Sequence, residues 1–163
     1  MSFIHLNVAS GYSLKYGTTH PHDLVQRAAE FEMPALALTD RDGLAGAIRF
    51  TQSCVDYGIA PIIGVNCAIA IKDTNGGDAK GRITLLAHSD GGWRSLCRLM
   101  TSLTMTSDTR VPVLTLDFLQ QFSQYSTNVY AMHGPESPIS DAIRNHRFDQ
   151  ALSIFNQTRD LFA

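Results

Sequence analysis

The stretch PHDLVQRAAEFEMPALALTD, residues 21–40, joins a helical pattern to a strand pattern. Pro21 suits a first helical turn, and Asp23 would lie near the positive end of the helix dipole. The apolar residues that would share one helical face are Leu24, Val25, Ala28 and Ala29. PALALTD, residues 34–40, is a short apolar run between Pro and Asp, which is typical of a buried strand. The stretch therefore predicts a helix that packs on a sheet.

The same alternation continues along the chain and predicts the α/β class. Strand-like runs are FIHLNVAS (3–10), PALALTD (34–40), APIIGVNCAIAI (60–71), RITLLAHS (82–89) and NVYAMHG (128–134). Further helical stretches are AGAIRFTQSCVDYG (45–58), WRSLCRLMTSL (93–103), LTLDFLQQFSQ (114–124) and ISDAIRNHRFDQALSIFNQTRDLFA (139–163). We expect KDTNGGDAKG (72–81) to form a polar turn or hairpin tip. Repeated strand and helix units predict a mostly parallel sheet in a single domain over residues 1–163.

Composition excludes several classes of protein. The 163 residues are 44% hydrophobic and 17% charged, which fits a globular chain rather than a disordered one. No apolar run reaches the roughly 20 residues that span a bilayer, and MSFIHLN lacks the pattern of a signal peptide, so we expect a cytoplasmic protein without a membrane partner. A formal charge of -2 gives no basic footprint, so any contact with DNA is expected to be indirect.

The three cysteines do not indicate a disulfide framework or a zinc site. Cys54, Cys67 and Cys97 are odd in number, far apart and without a CxxC pair. We expect each of them to be a small buried hydrophobic residue.

Polar side chains at alternate positions of FIHLNVAS indicate a candidate site. In a strand, Phe3, His5, Asn7 and Ala9 would share one face. The opposite face, formed by aliphatic residues, would pack under helices. The face with His5 and Asn7 would then line a barrel interior or crevice, where α/β proteins place their sites.

HLNVASGYSLKYG (5–17) resembles the opening motif of the polymerase and histidinol phosphatase (PHP) domain. The similarity continues through PALALTDRDGLAGAIRF (34–50), APIIGVN (60–66), RITLLAHSDGGWRSLCRLMTSL (82–103), RVPVLTLDFL (110–119) and NVYAMHGP (128–135). Within the family, the chain is most similar to the N-terminal domain of bacterial DNA polymerase III alpha subunits, particularly the error-prone type. The resemblance implies part of a distorted (β/α)7 barrel, because the family's last Asp-x-His motif has no counterpart before Ala163.

The resemblance also identifies the positions of a family metal cluster, which holds zinc or manganese. His5 matches the first family histidine, but the family's other ligands are replaced. Asn7 stands for a second His, Tyr16 for an Asp, Arg41 for the His of Thr-Asp-His, Asn66 for the Glu after Gly-Val, and Arg82 for the His that opens the next strand. A family Cys after NVYAMHG is also missing, with Pro135 near its place.

These replacements predict a vestigial pocket without metal and without catalytic residues. Asn offers a weak neutral carbonyl, Tyr a phenol with a pKa near 10, and Arg no acceptor at all. We expect Arg41 and Arg82 to approach the space of the cluster, where they could pair with Asp40 or Asp42 or bind an anion.

Other polar residues are interpreted as structural. His20 and His22 flank Pro21 and are expected to cap a helix or lie at the surface. Asp40 and Asp42 could be an acid/base pair, although capping or pairing with Arg is favoured. Ser10 and Ser13 lack the surroundings of a nucleophile.

The leading hypothesis is a structural PHP-like domain that associates with polymerase domains of the same or a partner chain. The parent protein would then be a nucleotidyltransferase that acts in DNA replication or repair synthesis, with the isolated chain inactive. One alternative is a metal-dependent phosphoesterase or 3′-5′ exonuclease of the same superfamily, and another is an anion-binding or protein-interaction module. A shortened domain would expose a sheet edge, which could support a homodimer.

Overall fold

Helices and strands alternate through the computed structural model, which describes residues 3–72, 77–109, 111–121 and 128–162. The helices are α1 (Pro21–Glu30), α2 (Ala47–Tyr57), α3 (Asp90–Thr106), α4 (Leu116–Gln121), α5 (Pro138–Arg144) and α6 (Phe148–Arg159). The strands are β1 (Ala35–Arg41), β2 (Ala60–Lys72), β3 (Asp78–Ala87), β4 (Val113–Thr115) and β5 (Val129–Met132). The predicted α/β class is confirmed.

The chain divides into two units, Met1–Asn66 and Cys67–Ala163. In the first unit, β1 pairs in parallel with the beginning of β2, so that Ala35 lies opposite Ala60 and Arg41 opposite Asn66. Helices α1 and α2 bury Val25, Phe50 and other apolar side chains against this pair, as the pattern of residues 21–40 predicts. The core of this unit consists of Val25, Ala28, Leu36, Leu38, Phe50, Cys54 and Ile59.

The predicted strand at residues 3–10 is wrong, although the segment follows β1. The N–H groups of Ala37 and Thr39 donate to the carbonyls of His5 and Val8, so two steps along β1 correspond to three along the segment. The Val8 N–H donates to the Thr39 hydroxyl at 2.9 Å rather than to a strand carbonyl. This side-chain substitution interrupts the regular ladder that defines a strand.

The second unit contains the end of β2 and the remaining elements. β2 pairs in parallel with β4 through Ala68–Val113 and its neighbours, whereas β3 pairs antiparallel with β5. In the strand order of this unit, β3 lies between β2 and β5. Helix α3 buries the side chains of Leu96, Leu99, Met100 and Leu103.

Several boundaries differ from the sequence prediction. Residues 139–163 form two helices because the chain turns at His146, which has a positive φ of 56°. Of the predicted helix 114–124, residues 114–115 belong to β4 and residues 116–121 are helical. Residues 122–124 lie outside the described residues. Residues 78–81, predicted as a turn, begin β3, while 73–76 also lie outside the described residues.

Two helices have well-defined ends. Gly58 follows α2 as its C-cap in the left-handed conformation, with φ of 69°. His20 caps α1, as predicted, and its Nδ1 accepts a hydrogen bond from the His22 N–H at 3.3 Å.

Cys54 and Cys67 are buried as predicted, whereas Cys97 is partly exposed. Burial raises the pKa of the Cys54 thiol to about 11. Within the described residues, no helix has the length and apolar character needed to cross a bilayer.

Candidate functional site

The candidate site in the first unit begins with Asn7, beside β1. Its Oδ1 accepts a hydrogen bond of 2.8 Å from the Thr39 hydroxyl. The same hydroxyl accepts from the Val8 N–H. Thr39 therefore holds this segment through the Asn7 side chain and the Val8 backbone. The carbonyl oxygen of Asn7, which is its only possible metal donor, therefore already has a protein partner.

Asp40 organises the loop that follows, residues 10–17. Its carboxylate is buried, with only 2% of the residue exposed, and accepts from the Ser10 N–H at 2.6 Å. The hydroxyls of Ser10 and Ser13 donate to the same carboxylate, at 2.9 Å and 2.7 Å. The Ser13 oxygen in turn accepts from the Arg41 N–H at 2.9 Å. A buried carboxylate with several donors is satisfied, and this arrangement fixes the loop on the end of β1.

Tight packing closes the same loop. A Cβ at Gly17 would overlap the Ser10 carbonyl, so only glycine fits there. At Gly46, which precedes α2, a Cβ would approach an Asp40 carboxylate oxygen to 2.8 Å. Asp40 therefore acts within the described structure as a buried organiser of the loop.

Tyr16 and Arg41 meet face to face. The Cζ atom of Arg41 lies 3.4 Å from the centroid of the Tyr16 ring, well within the range of a cation–π interaction. Tyr16 is half exposed, and Arg41 is partly buried. Two positions at which the resemblance places metal ligands are thus occupied by a pair of side chains that contact one another.

The remaining predicted residues fall into two groups. Asn66 lies opposite Arg41 in the β1–β2 register, and its carbonyl accepts from the Asp42 N–H at 3.0 Å. Arg82 belongs to the second unit, where its N–H donates to the Glu136 carbonyl at 2.9 Å. The approach of Arg82 to a shared pocket, its binding of an anion and its pairing with Asp40 or Asp42 therefore stay predictions.

The histidines serve local contacts. His5 is exposed, and its ring packs edge-on against Phe3 with centroids 4.7 Å apart. In the second unit, His133 lies beside Thr158, with Nε2 3.1 Å from the threonine Oγ1. Burial lowers the pKa of His133 from its ordinary value of 6.5. No group of three or more His, Cys, Asp or Glu side chains suited to a metal ion occurs among the residues that the structure describes.

The chemistry of the donors in the first unit does not fit a divalent metal cluster. Asn7 is engaged with Thr39, and Tyr16 faces a guanidinium. An Arg at position 41 brings a permanent positive charge and no lone pair. Among the positions in this unit that the resemblance assigns to the cluster, His5 is the one good ligand, and one imidazole does not hold a catalytic metal.

Sequence reasoning missed the roles of Ser10 and Ser13. The two hydroxyls were considered only as nucleophiles, although small hydroxyl side chains in a turn often hydrogen-bond nearby groups. The sequence signal for these roles is Asp40 at the end of the apolar run PALALTD. A buried carboxylate needs hydrogen-bond donors nearby, and hydroxyl side chains can supply them.

Comparison with known proteins places this site in context. The profile of the family described as "PHP domain" matches residues 5–163. A DNA polymerase III subunit alpha from Chlamydia pneumoniae is 37% identical over 131 residues, which cover 76% of this chain and 10% of that protein. An error-prone DNA polymerase from Corynebacterium efficiens is 33% identical over 105 residues, which cover 64% and 9% of the two chains. The chain thus spans about a tenth of the length of these curated relatives.

Among solved structures, an amidohydrolase from Chromobacterium violaceum is similar, with a TM-score of 0.47 and 16% identity. The aligned region covers 94% of this chain and 54% of the amidohydrolase chain. At this level the likeness carries no argument about the fold or the chemistry of this chain.

Proposed function

The chain belongs to the PHP domain family, and from that premise we propose that it is a non-catalytic PHP domain of an alpha-subunit-type bacterial DNA polymerase. The relatives named DNA polymerase III subunit alpha and error-prone DNA polymerase support this parent. DNA synthesis would then belong to other domains, and this domain would contribute structure by packing against them.

The observation that carries the proposal is the contact between Tyr16 and Arg41. The resemblance assigns both positions to ligands of the metal cluster. In this chain they hold a tyrosine ring and a guanidinium, whose Cζ lies 3.4 Å from the centroid of that ring. A metal-activated water needs anionic or imidazole ligands around the ion, which these two residues do not provide. Hydrolysis of phosphoesters is therefore not expected from this domain.

A structural role also agrees with the charge of the chain. The formal charge of -2 supplies no basic surface for a phosphate backbone, so DNA would be held by the polymerase domains and reached only indirectly. Through association with those domains, the protein would act in the bacterial cytoplasm. Self-association through a sheet edge remains a secondary proposal.

The test is a pair of hydrolysis assays with added zinc or manganese. One follows p-nitrophenyl phosphate, and the other follows 3′ end-labelled single-stranded and primer-template DNA. A metal-dependent PHP phosphoesterase treated in parallel serves as the positive control. We expect hydrolysis rates equal to the protein-free background in both assays. A hydrolysis rate that rises with metal and disappears with chelator would overturn the proposal.

A further inference from the structure

The replaced residues at positions 16 and 41 do more than remove a metal site. We infer that Tyr16 and Arg41 form a metal-independent clasp, which holds the loop of residues 10–17 on the end of β1. This inference rests on the proposed function only for the statement that the two positions once held metal ligands.

The first half of the loop is already fixed by buried groups. Ser10 and Ser13 bind the Asp40 carboxylate, and both residues are fully buried. The second half lacks such an anchor, because Leu14 is 81% exposed and Lys15 is also exposed. The described contact that reaches from the side chains of this half to β1 is the Tyr16 ring on Arg41.

The backbone of this half shows why an anchor is needed. Lys15 has a positive φ of 64°, a conformation that costs free energy for a residue with a Cβ. The chain then turns so that the Tyr16 and Gly17 N–H groups both donate to the Ser13 carbonyl, at 3.0 Å each. An unfavourable Lys15 conformation persists only when the surroundings hold it, and the Tyr16 ring on Arg41 adds a restraint from β1 to the one that the Ser13 carbonyl supplies.

A guanidinium suits this task better than other cations. Its planar, weakly hydrated face stacks on an aromatic ring, whereas an ammonium is a compact and strongly hydrated charge. The Arg41 N–H is also bound to the Ser13 hydroxyl, so the residue that receives the ring is fixed by the buried half of the loop. The clasp therefore links both halves of the loop to one strand end without a metal ion.

Hydrogen exchange at the Tyr16 and Gly17 amides tests the clasp directly, since both amides report on the second half of the loop. Tyr16→Leu and Arg41→Met should each speed exchange about two- to fivefold, the range of a partly exposed cation–π interaction. Tyr16→Phe keeps a ring and should stay close to the wild type. Arg41→Lys should behave more like Arg41→Met, because it loses the planar face.

A double-mutant cycle separates the pair from other effects of the substitutions, because Arg41 makes further interactions. The double variant Tyr16→Leu/Arg41→Met should exchange no faster than the faster single variant. Effects that multiply in the double variant, or single variants that match the wild type, would overturn the clasp. Exchange in the wild type should also be unchanged by EDTA, and faster exchange with EDTA would contradict metal independence.

The two proposals can fail separately. Chelator-sensitive hydrolysis by the wild type would refute the proposed function. The double-mutant cycle would then still show whether Tyr16 and Arg41 interact. Background hydrolysis with no coupling in the cycle would refute the clasp and leave the proposed function standing.

Discussion

At the scale of single residues, the Arg41 guanidinium lies over the Tyr16 ring, while the Asp40 carboxylate accepts from the hydroxyls of Ser10 and Ser13. The resemblance located Tyr16 and Arg41 in the sequence without indicating that they contact each other, and pairing of Arg41 with Asp42 stays a prediction. Tyr16 and Arg41 are separated by a helix along the chain, and no periodicity in the sequence relates a loop residue to a strand end at that distance.

Ser13 provides a test of the buried carboxylate. Ser13→Ala removes a donor to Asp40 and the acceptor of the Arg41 N–H. Since a hydrogen bond to a charged group contributes about 1.5–3 kcal/mol, we expect the free energy of unfolding in urea to fall by about that amount. Ser53→Ala is the matched control in the same unit, because Ser53 donates only to the Arg49 carbonyl within α2. Equal losses in the two variants would contradict the role assigned to Ser13.

At the scale of elements, periodicity predicted the regular pieces and failed where side chains replace backbone partners. β1 and β2 follow their predicted runs closely, because buried β-branched and aliphatic residues dominate them. Residues 3–10 follow β1 without forming a strand, since the Thr39 hydroxyl takes the Val8 N–H. The break at His146 was missed because neither Gly nor Pro marks it.

Gly58 tests the end of α2. It lies in the left-handed region, and a Cβ there would meet open space, so Gly58→Ala costs only conformational free energy. We expect a loss of about 1–2 kcal/mol in the free energy of unfolding. Gly43→Ala is the control, because a Cβ at Gly43 would meet only the Arg41 carbonyl at 3.9 Å and no positive φ opposes it. A Gly58→Ala variant as stable as Gly43→Ala would show that the cap is unimportant.

His133, which follows β5 and contacts α6, predicts a dependence of stability on pH. Its pKa in the folded protein is lowered below 6.5 by burial, so the unfolded chain binds the proton more readily. The free energy of unfolding should therefore fall as the pH drops from about 6.5 through the lower pKa of the folded state. His133→Gln should flatten this slope in urea titrations at several pH values. A slope unchanged by His133→Gln would refute the assignment.

At the scale of the whole molecule, the chain matches one region of much longer relatives. Its family profile covers residues 5–163, yet it corresponds to about a tenth of the polymerases it matches. Sequence patterns were sufficient for the α/β class and for the family, because several ordered motifs agree. They could not predict that Tyr16 and Arg41 contact each other, since that depends on how distant parts of the chain pack.

Metal content tests the central claim, that this PHP domain has exchanged its metal cluster for direct contacts between side chains. The protein would be purified without chelator, incubated with zinc or manganese, desalted and analysed by inductively coupled plasma mass spectrometry. We predict far less than one ion of either metal per chain, and a melting temperature that EDTA does not change. Retention of one or more ions per chain, with a melting temperature that falls when EDTA removes them, would contradict the account.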